Sequence, residues 1–303
     1  MTDHTPPMRL SEAPGTHPPG GHLAPVWALS MSPDGRTALT GSSDKTVRAW
    51  DAATGRETLR LTGHAGDILS VALGADGRTA VSACHDGTLK VWDVPLGRER
   101  CTLKGHGDVV FAVGLGGDGR TAVSGSLDRT LRVWDMEKGR ETASLNGHQG
   151  AVMAVALTAD GRTAFSGSRD GTLKVWDLGR RKCLKTLEAH RRGVAALAVD
   201  PKGALALTGS SDGTLKTWDL EAGREVRSWE GHADEVFSVA LDAPGWRGLS
   251  ASQDGTLRLW DVERGACVET WTAEGPVTAC AMAGAACAAG EKSGLIHFLR
   301  LDP

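Results

Sequence analysis

Six Trp-Asp pairs recur along this chain at a constant interval, and this regularity limits the possible folds more than any other feature. Neighbouring tryptophans are always 42 residues apart, and a histidine lies 28 residues before each one. The tryptophans are Trp50, Trp92, Trp134, Trp176, Trp218 and Trp260, and the histidines are His22, His64, His106, His148, His190 and His232. A fixed period of this length predicts a repeat protein in which one structural unit has been copied.

Each unit contains four short apolar runs that are separated by glycine-rich turns. In the second unit these runs are 68–73, 79–82, 88–92 and 99–103. Runs of this length predict β-strands, and Asp-Gly pairs favour tight hairpins between antiparallel neighbours. A four-stranded sheet of this size cannot bury both of its faces alone, so we expect consecutive sheets to stack around a ring. The sequence therefore predicts an all-β fold of four-stranded antiparallel units.

A seventh unit follows the six regular ones and departs from their pattern. It runs from about 276 to 301, lacks the Trp-Asp pair and ends where its fourth strand should begin. The N-terminal arm, residues 1–20, is rich in proline and contains one candidate strand at residues 8–12. We expect this strand to pair with residues 295–300 and to complete the seventh unit. Residues 21–303 are then predicted to form a single domain.

Composition and charge argue against several classes of function. The formal net charge of −3 offers no general attraction to nucleic acid or to anionic membranes. The N-terminus has no apolar signal-peptide core, and no run approaches the ~20 apolar residues of a membrane helix, so we predict a cytoplasmic protein. We also expect the protein to be a monomer. The six cysteines include no C-x-x-C pair. We therefore expect no disulfide framework, no metal site and no cofactor.

Enzyme motifs that occur in the sequence fail their tests of context. Residues 114–119 match the dinucleotide fingerprint G-x-G-x-x-G, but a predicted strand follows them where a helix is required. Ser, His and Asp recur together in six units, whereas a catalytic triad assembles once beside an oxyanion hole. We expect no catalytic residues and no enzymatic activity.

The units resemble those of the WD-repeat β-propeller family, which is named for the Trp-Asp pair. Over residues 21–303 the resemblance implies a seven-bladed propeller that is closed by strand exchange between the termini. It also implies that a His, a Ser or Thr, an Asp and the Trp of one blade form a buried hydrogen-bond chain. The implied sets are His22, Thr40, Asp44, Trp50; His64, Ser82, Asp86, Trp92; His106, Ser124, Asp128, Trp134; His148, Ser166, Asp170, Trp176; His190, Thr208, Asp212, Trp218; and His232, Ser250, Asp254, Trp260.

The seventh unit has Ala289, Ser293 and Leu299 where this pattern has a hydroxyl, an aspartate and a tryptophan. A blade without the hydrogen-bond chain lacks one source of stability. We therefore expect blade seven to be the weakest blade.

Positions that vary among the units are free to serve a partner, because positions kept in every unit serve the architecture. In the family, three variable positions surround the mouth of the central channel on the narrower face, where partners commonly dock. The resemblance places ten residues there: Trp27, Asp67, Leu69, His85, Phe111, Leu127, Met153, Arg169, Glu235 and Phe237. Aromatic and methionine anchors among a few charges are typical of protein interfaces.

The preferred hypothesis is a non-enzymatic scaffold that binds a protein or a peptide on this face. One alternative is that the large side chains only fill space between the blades. Another is a sensor that holds a small molecule in the central channel, although no convergent polar cluster in the sequence indicates such a ligand.

Overall fold

The computed structural model describes residues 9–12 and 21–302 of the chain. Within these residues every regular element is a β-strand, and none forms a helix that is long and apolar enough to cross a membrane. Met8, the first residue of the predicted N-terminal strand, lies outside the described residues.

The strands have the following bounds: β1 Arg9–Glu12, β2 Val26–Met31, β3 Thr37–Ser42, β4 Thr46–Asp51, β5 Arg56–Thr62, β6 Ile68–Leu73, β7 Thr79–Cys84, β8 Leu89–Asp93, β9 Arg98–Leu103, β10 Val110–Leu115, β11 Thr121–Ser126, β12 Leu131–Asp135, β13 Arg140–Leu145, β14 Val152–Leu157, β15 Thr163–Ser168, β16 Thr172–Asp177, β17 Lys182–Glu188, β18 Val194–Val199, β19 Leu205–Ser210, β20 Leu215–Asp219, β21 Arg224–Trp229, β22 Val236–Leu241, β23 Arg247–Ser252, β24 Thr256–Asp261, β25 Ala266–Thr272, β26 Val277–Ala283, β27 Ala286–Glu291 and β28 Ile296–Asp302.

In the described part of the chain these strands form seven antiparallel sheets of four strands each. Blades one to six take consecutive strands, from β2–β5 in blade one to β22–β25 in blade six, and blade seven combines β26–β28 with β1. The first strands of neighbouring blades pack against one another in order, and β2 packs against β26 to close the ring. The predicted all-β, seven-bladed propeller is confirmed.

Strand β1 completes blade seven, as the sequence predicts. It pairs antiparallel with β28, with Arg9 opposite Asp302 and Leu10 opposite Leu301. Leu10 is buried in the cluster of side chains between blades six and seven. The partner residues are 299–302, closer to the C-terminus than expected, because β28 continues to Asp302. The pairing covers an edge of β28 that would otherwise expose unpaired backbone groups.

The hydrophobic core lies between the blades and is divided among their interfaces. Leu39 of blade one packs with Ile68 and Trp92 of blade two. Equivalent clusters join each later pair of blades, and Trp50 and Phe298 belong to the cluster that joins blade one to blade seven. Each blade therefore buries apolar surface on both of its faces, and burial of such surface is the main stabilising contribution to folding.

A hydrogen-bond chain surrounds the buried tryptophan of each Trp-Asp blade. In blade three, Trp134 Nε1 donates to Ser124 Oγ over 2.8 Å, and His106 Nε2 lies 2.7 Å from the same oxygen. His106 Nδ1 lies 2.8 Å from Asp128 Oδ2. A neutral imidazole donates from one nitrogen only, and the carboxylate selects Nδ1 as that donor. The hydroxyl of Ser124 then donates to Nε2, so the bonds run in one direction from Trp134 to Asp128.

The contact between histidine and aspartate differs among the blades. Histidine Nδ1 lies 2.8 Å from the carboxylate in blades one, three and four and 3.0 Å in blade six. In blades two and five the distances are 3.8 and 3.9 Å, which are too long for a hydrogen bond. In blade five, His190 Nδ1 instead lies 3.0 Å from Thr214 Oγ1. The histidine contacts a hydroxyl and that hydroxyl contacts the tryptophan in all six Trp-Asp blades.

Burial favours the neutral form of these histidines. It lowers the pKa of each one, to about 4 for His190. For Asp128, burial alone raises the pKa, but hydrogen bonds from Thr130 and His106 outweigh it and hold the pKa at about 2. At neutral pH the folded chain therefore contains neutral imidazoles beside ionised carboxylates.

Blade seven lacks the hydrogen-bond chain but has a buried carboxylate, Glu291, near the end of its second strand. Glu291 is buried and occupies the position that Ser42 has in blade one, since each lies opposite the first residue of its blade. The Glu291 carboxylate accepts a hydrogen bond from Ser293 Oγ at 2.8 Å and lies 2.7 Å from His297 Nε2. The lower stability expected of this blade stays a prediction.

Trp134→Ala is expected to lower the free energy of unfolding by roughly 3 to 5 kcal/mol, because it opens a cavity and removes the donor to Ser124. Trp246, which is 67% exposed, provides a matched control. We expect Trp246→Ala to change the same quantity by less than about 0.5 kcal/mol. Denaturant titrations of both variants test this contrast, and equal losses would contradict it.

Leu10→Ala is expected to lower the free energy of unfolding by about 2 kcal/mol, because Leu10 is the buried residue by which β1 contacts the core. Arg9→Ala changes an exposed residue of the same strand and should have little effect. Thermal unfolding of the two variants measures the difference. An unaltered melting temperature for Leu10→Ala would show that the closing strand contributes little.

The free energy of unfolding is expected to fall as pH decreases from about 6.5 toward 4. His190 has a folded-state pKa of about 4 against an ordinary value of 6.5, so the unfolded chain binds more protons in this interval. The stabilisation is fully present above pH 6.5 and decreases below it, and the other buried histidines act in the same direction. Urea midpoints measured across the interval test the prediction, and a constant midpoint would refute it.

Candidate functional site

The first strand of every blade carries a β-bulge. In blade one, Val26 pairs with Ser42 and Ala28 pairs with Gly41, which leaves Trp27 without a partner in the ladder. The equivalent unpaired residues of the other blades are Leu69, Phe111, Met153, Ala195, Phe237 and Thr278. A bulge turns the side chain of its extra residue away from the regular pleat. The bulge residue is the second residue of the first strand in each blade, and it is one of the three positions that vary among the units.

A central cavity of about 200 Å³ is lined by the first strands of the blades and is open to solvent. Five large bulge residues line it and are partly exposed: Trp27, Leu69, Phe111, Met153 and Phe237. Thr278 of blade seven does not line the cavity, because it is buried and donates a hydrogen bond to Gly290 O. We call the five large side chains and the turns around them the channel mouth.

Trp27 and Phe237 meet at the channel mouth although they belong to blades one and six. Their ring centroids are 6.1 Å apart and the rings are nearly perpendicular, at 83°. The two rings meet on the side of blade seven, whose bulge residue Thr278 is small and buried. The edge-to-face contact holds both aromatic side chains in place beside the cavity.

Two acidic residues of the channel mouth already accept hydrogen bonds from the preceding blade. Trp27 Nε1 donates to Ser43 Oγ at 2.8 Å, and Ser43 Oγ donates to Asp67 Oδ2 at 2.7 Å. Ser211 Oγ donates to Glu235 Oε1 in the equivalent way between blades five and six. These bonds orient the carboxylates of Asp67 and Glu235, and each carboxylate keeps further lone pairs for a ligand.

Three more of the predicted residues lie in turns around the cavity and are exposed: His85, Leu127 and Arg169. The backbone N–H of each donates to the residue before the first strand of its own blade, as Leu127 does to Val109 O at 2.9 Å. The guanidinium carbon of Arg169 lies 5.9 Å from the ring centroid of Phe111 in the adjacent blade. Of the ten predicted residues, five therefore line the cavity and five lie on the rim around it.

Trp246 is an exposed aromatic residue that the sequence analysis did not single out. It lies in the hairpin between β22 and β23, at the opposite end of the strands from the channel mouth. Its position corresponds to the one that holds arginine in blades one to four, at Arg36, Arg78, Arg120 and Arg162. The replacement of this arginine by tryptophan in the sixth unit was the sequence feature that could have drawn attention to Trp246.

Blade two differs from the other Trp-Asp blades beside its buried histidine. His64 Nε2 lies 2.6 Å from Ser82 Oγ, but His64 Nδ1 is buried without a hydrogen-bond partner. Cys84 occupies the place of a serine that the five other Trp-Asp blades carry: Ser42, Ser126, Ser168, Ser210 and Ser252. One imidazole nitrogen of His64, Cys84 Sγ and an Asp86 carboxylate oxygen all lie within 4.8 Å of one another. Within the described residues this is the group whose ligand types and spacing suit a metal ion.

Comparison with known proteins agrees with the architecture. The family model described as WD domain, G-beta repeat (WD40) matches six segments: 16–51, 55–93, 97–135, 139–177, 181–219 and 223–261. Protein Mut11 from Chlamydomonas reinhardtii is 52% identical over 40 residues, which are 13% of this chain and 11% of that protein. That similarity covers about one unit. Because the family model matches more than half of the sequence, and because seven four-stranded blades close the ring, the chain belongs to the WD40 repeat family.

Proposed function

We propose that this protein is a non-enzymatic scaffold whose channel mouth binds a peptide or a segment of another protein. WD40 propellers commonly serve as protein-interaction scaffolds and are generally not enzymes. The observation that supports the proposal most is the set of five large bulge side chains that meet around the central cavity. Their partial exposure leaves apolar surface for a partner to cover.

The energy of binding would come mainly from removing this apolar surface from water. Full burial of one large apolar side chain contributes about 1.5 to 3 kcal/mol, and Trp27, Phe111 and Phe237 offer the largest areas. The bulges lie on hydrogen-bonded strands, so little ordering of the backbone would oppose association. A preformed apolar mouth of this kind favours a short segment that places one or two side chains into it.

The polar groups of the rim would set the orientation of the bound segment. Asp67 and Glu235 are held by serine hydroxyls of the preceding blade, and both residues are partly exposed. Arg169 provides a positive charge above Phe111. Oriented charges at the edge of an apolar patch contribute more to specificity and to association rate than to affinity.

The size of the cavity favours this proposal over a small-molecule sensor. A volume of about 200 Å³ is below the roughly 300 to 1,000 Å³ typical of sites that enclose a small ligand. A side chain of a docked segment fits such a space. Cytoplasmic location and a monomeric state stay predictions from the sequence.

Trp27→Ser combined with Phe111→Ser is expected to weaken binding of a selected peptide at least about thirtyfold, because it removes two central anchors. Peptides are first selected from a random displayed library on the immobilised wild-type protein. Their affinities for the double variant are then measured by fluorescence anisotropy. Circular dichroism confirms that the variant keeps its fold.

Trp246→Ser is the matched control, since it removes an exposed tryptophan from the opposite end of the blades. It should leave the affinity unchanged. Peptides that bind the double variant as tightly as the wild type would place their site elsewhere. Failure to select any peptide would also argue against the scaffold and would favour the sensor.

A further inference from the structure

We propose that His64, Cys84 and Asp86 form a zinc-binding site in blade two. The ligand types suit this ion, because zinc is bound in proteins by imidazole nitrogen, thiolate sulfur and carboxylate oxygen. Softer thiolate ligands disfavour magnesium and calcium, which prefer oxygen alone. The proposal does not rest on peptide binding at the channel mouth, although His85 of the rim lies between Cys84 and Asp86 in the chain.

The distances among the three ligand atoms are somewhat longer than those of a tetrahedral zinc site, so small side-chain movements would have to accompany binding. Zinc bond lengths of about 2.0 to 2.3 Å place neighbouring ligand atoms about 3.3 to 3.8 Å apart. His64 Nδ1 and Asp86 Oδ2 are 3.8 Å apart, which is too long for a hydrogen bond and slightly longer than the separation of a nitrogen and an oxygen bound to one ion. Cys84 Sγ lies within 4.8 Å of the ligand atoms of His64 and Asp86, so side-chain rotation would have to shorten these distances when an ion binds.

The unpaired nitrogen of His64 is the second observation that indicates a ligand. The His64 side chain is fully buried, and Nδ1 has no hydrogen-bond partner within the described residues. An unsatisfied buried polar atom is destabilising, and an ion bound to the lone pair of Nδ1 would remove that cost. A proton on Nε2, donated to Ser82 Oγ, directs the lone pair of Nδ1 toward Cys84 and Asp86.

Each proposed ligand is also held by a neighbouring hydrogen bond, as ligands of protein metal sites usually are. Ser82 Oγ contacts His64 Nε2 at 2.6 Å, and Thr88 Oγ1 donates to Asp86 Oδ1 at 2.6 Å. The backbone N–H of Asp86 donates to Cys84 Sγ at 3.4 Å. Burial raises the pKa of the Cys84 thiol to about 11, so a bound ion would have to displace its proton. All three side chains are therefore oriented before an ion binds.

Blade five shows that the long distance between histidine and aspartate does not by itself create such a site. His190 and Asp212 are 3.9 Å apart, nearly as far as their counterparts in blade two. Thr214 Oγ1 satisfies His190 Nδ1 there, and Ser210 occupies the place of the cysteine. Blade two combines the separated pair with both a thiol and an unsatisfied imidazole.

We place the fourth coordination position beside Asp86, because Asp86 is the exposed member of the cluster and the two other residues are buried. The Asp86 side chain is 22% exposed. Gly66 lies against the cluster, since an added Cβ would be 3.4 Å from Cys84 Sγ. A water molecule would complete the tetrahedron, an arrangement with three protein ligands and one exchangeable ligand.

Cobalt substitution tests this site directly. The full-length protein is treated with a chelator, freed of it, and titrated with Co²⁺ under reducing conditions. We expect a thiolate-to-cobalt charge-transfer band in the near ultraviolet that saturates at one ion per chain, and we expect added Zn²⁺ to abolish it. Absence of the band from the wild-type protein would overturn the proposal.

Cys84→Ser is the decisive variant, because it restores the serine of the other Trp-Asp blades and is expected to fold. It should lose the charge-transfer band, whereas Cys101→Ser, which removes a thiol outside the cluster, should keep it. Asp86→Asn should weaken Co²⁺ binding at least tenfold, by comparison with the effect of losing an outer partner of a ligand. A band that persists in Cys84→Ser, or cobalt bound without any thiolate band, would show that the cluster is not a metal site.

Discussion

Every blade of this protein has two apolar faces, and no blade can cover both of them without a neighbour on each side. The hydrophobic clusters therefore lie at the blade interfaces, where Leu39 meets Ile68 and where Trp50 meets Phe298. An open stack of such sheets would leave one apolar face exposed at each end, whereas a ring leaves none. Closure of the ring is thus the condition on which the burial of every blade depends.

The hydrogen-bond chains inside the blades are a secondary consequence of this packing. Because the indole of Trp134 is buried between sheets, its N–H needs an internal acceptor, and Ser124 and His106 supply one. The aspartate is the variable member, since Asp86 and Asp212 lie beyond hydrogen-bond range of their histidines. The contacts of tryptophan, hydroxyl and histidine recur in six blades, so they are part of the architecture. The distance from histidine to aspartate varies and identifies blades two and five as different.

The repeat made the fold predictable, because a fixed spacing of Trp-Asp pairs specifies the strands and their order. Comparison among units also located the bulge residues, since Trp27 and Phe111 occupy equivalent places in the strand. What the sequence could not provide were contacts between different blades, such as Trp27 with Phe237 or Ser43 with Asp67. These depend on side-chain conformation across the ring. The His64 cluster was missed for a related reason. The implied hydrogen-bond set joins His64 directly to Asp86, and their separation of 3.8 Å beside Cys84 depends on side-chain conformation.

The register of β1 on β28 has a mechanical consequence. Arg9, the first residue of β1, lies opposite Asp302, the last residue of β28, so the start of one strand and the end of the other are neighbours. A force that pulls Arg9 away from Asp302 breaks the hydrogen bonds between β1 and β28 one after another. In a shear geometry all of these bonds would bear the force at once. Tension carried through the ends of the described chain would therefore release the closing strand before it disturbed any other blade.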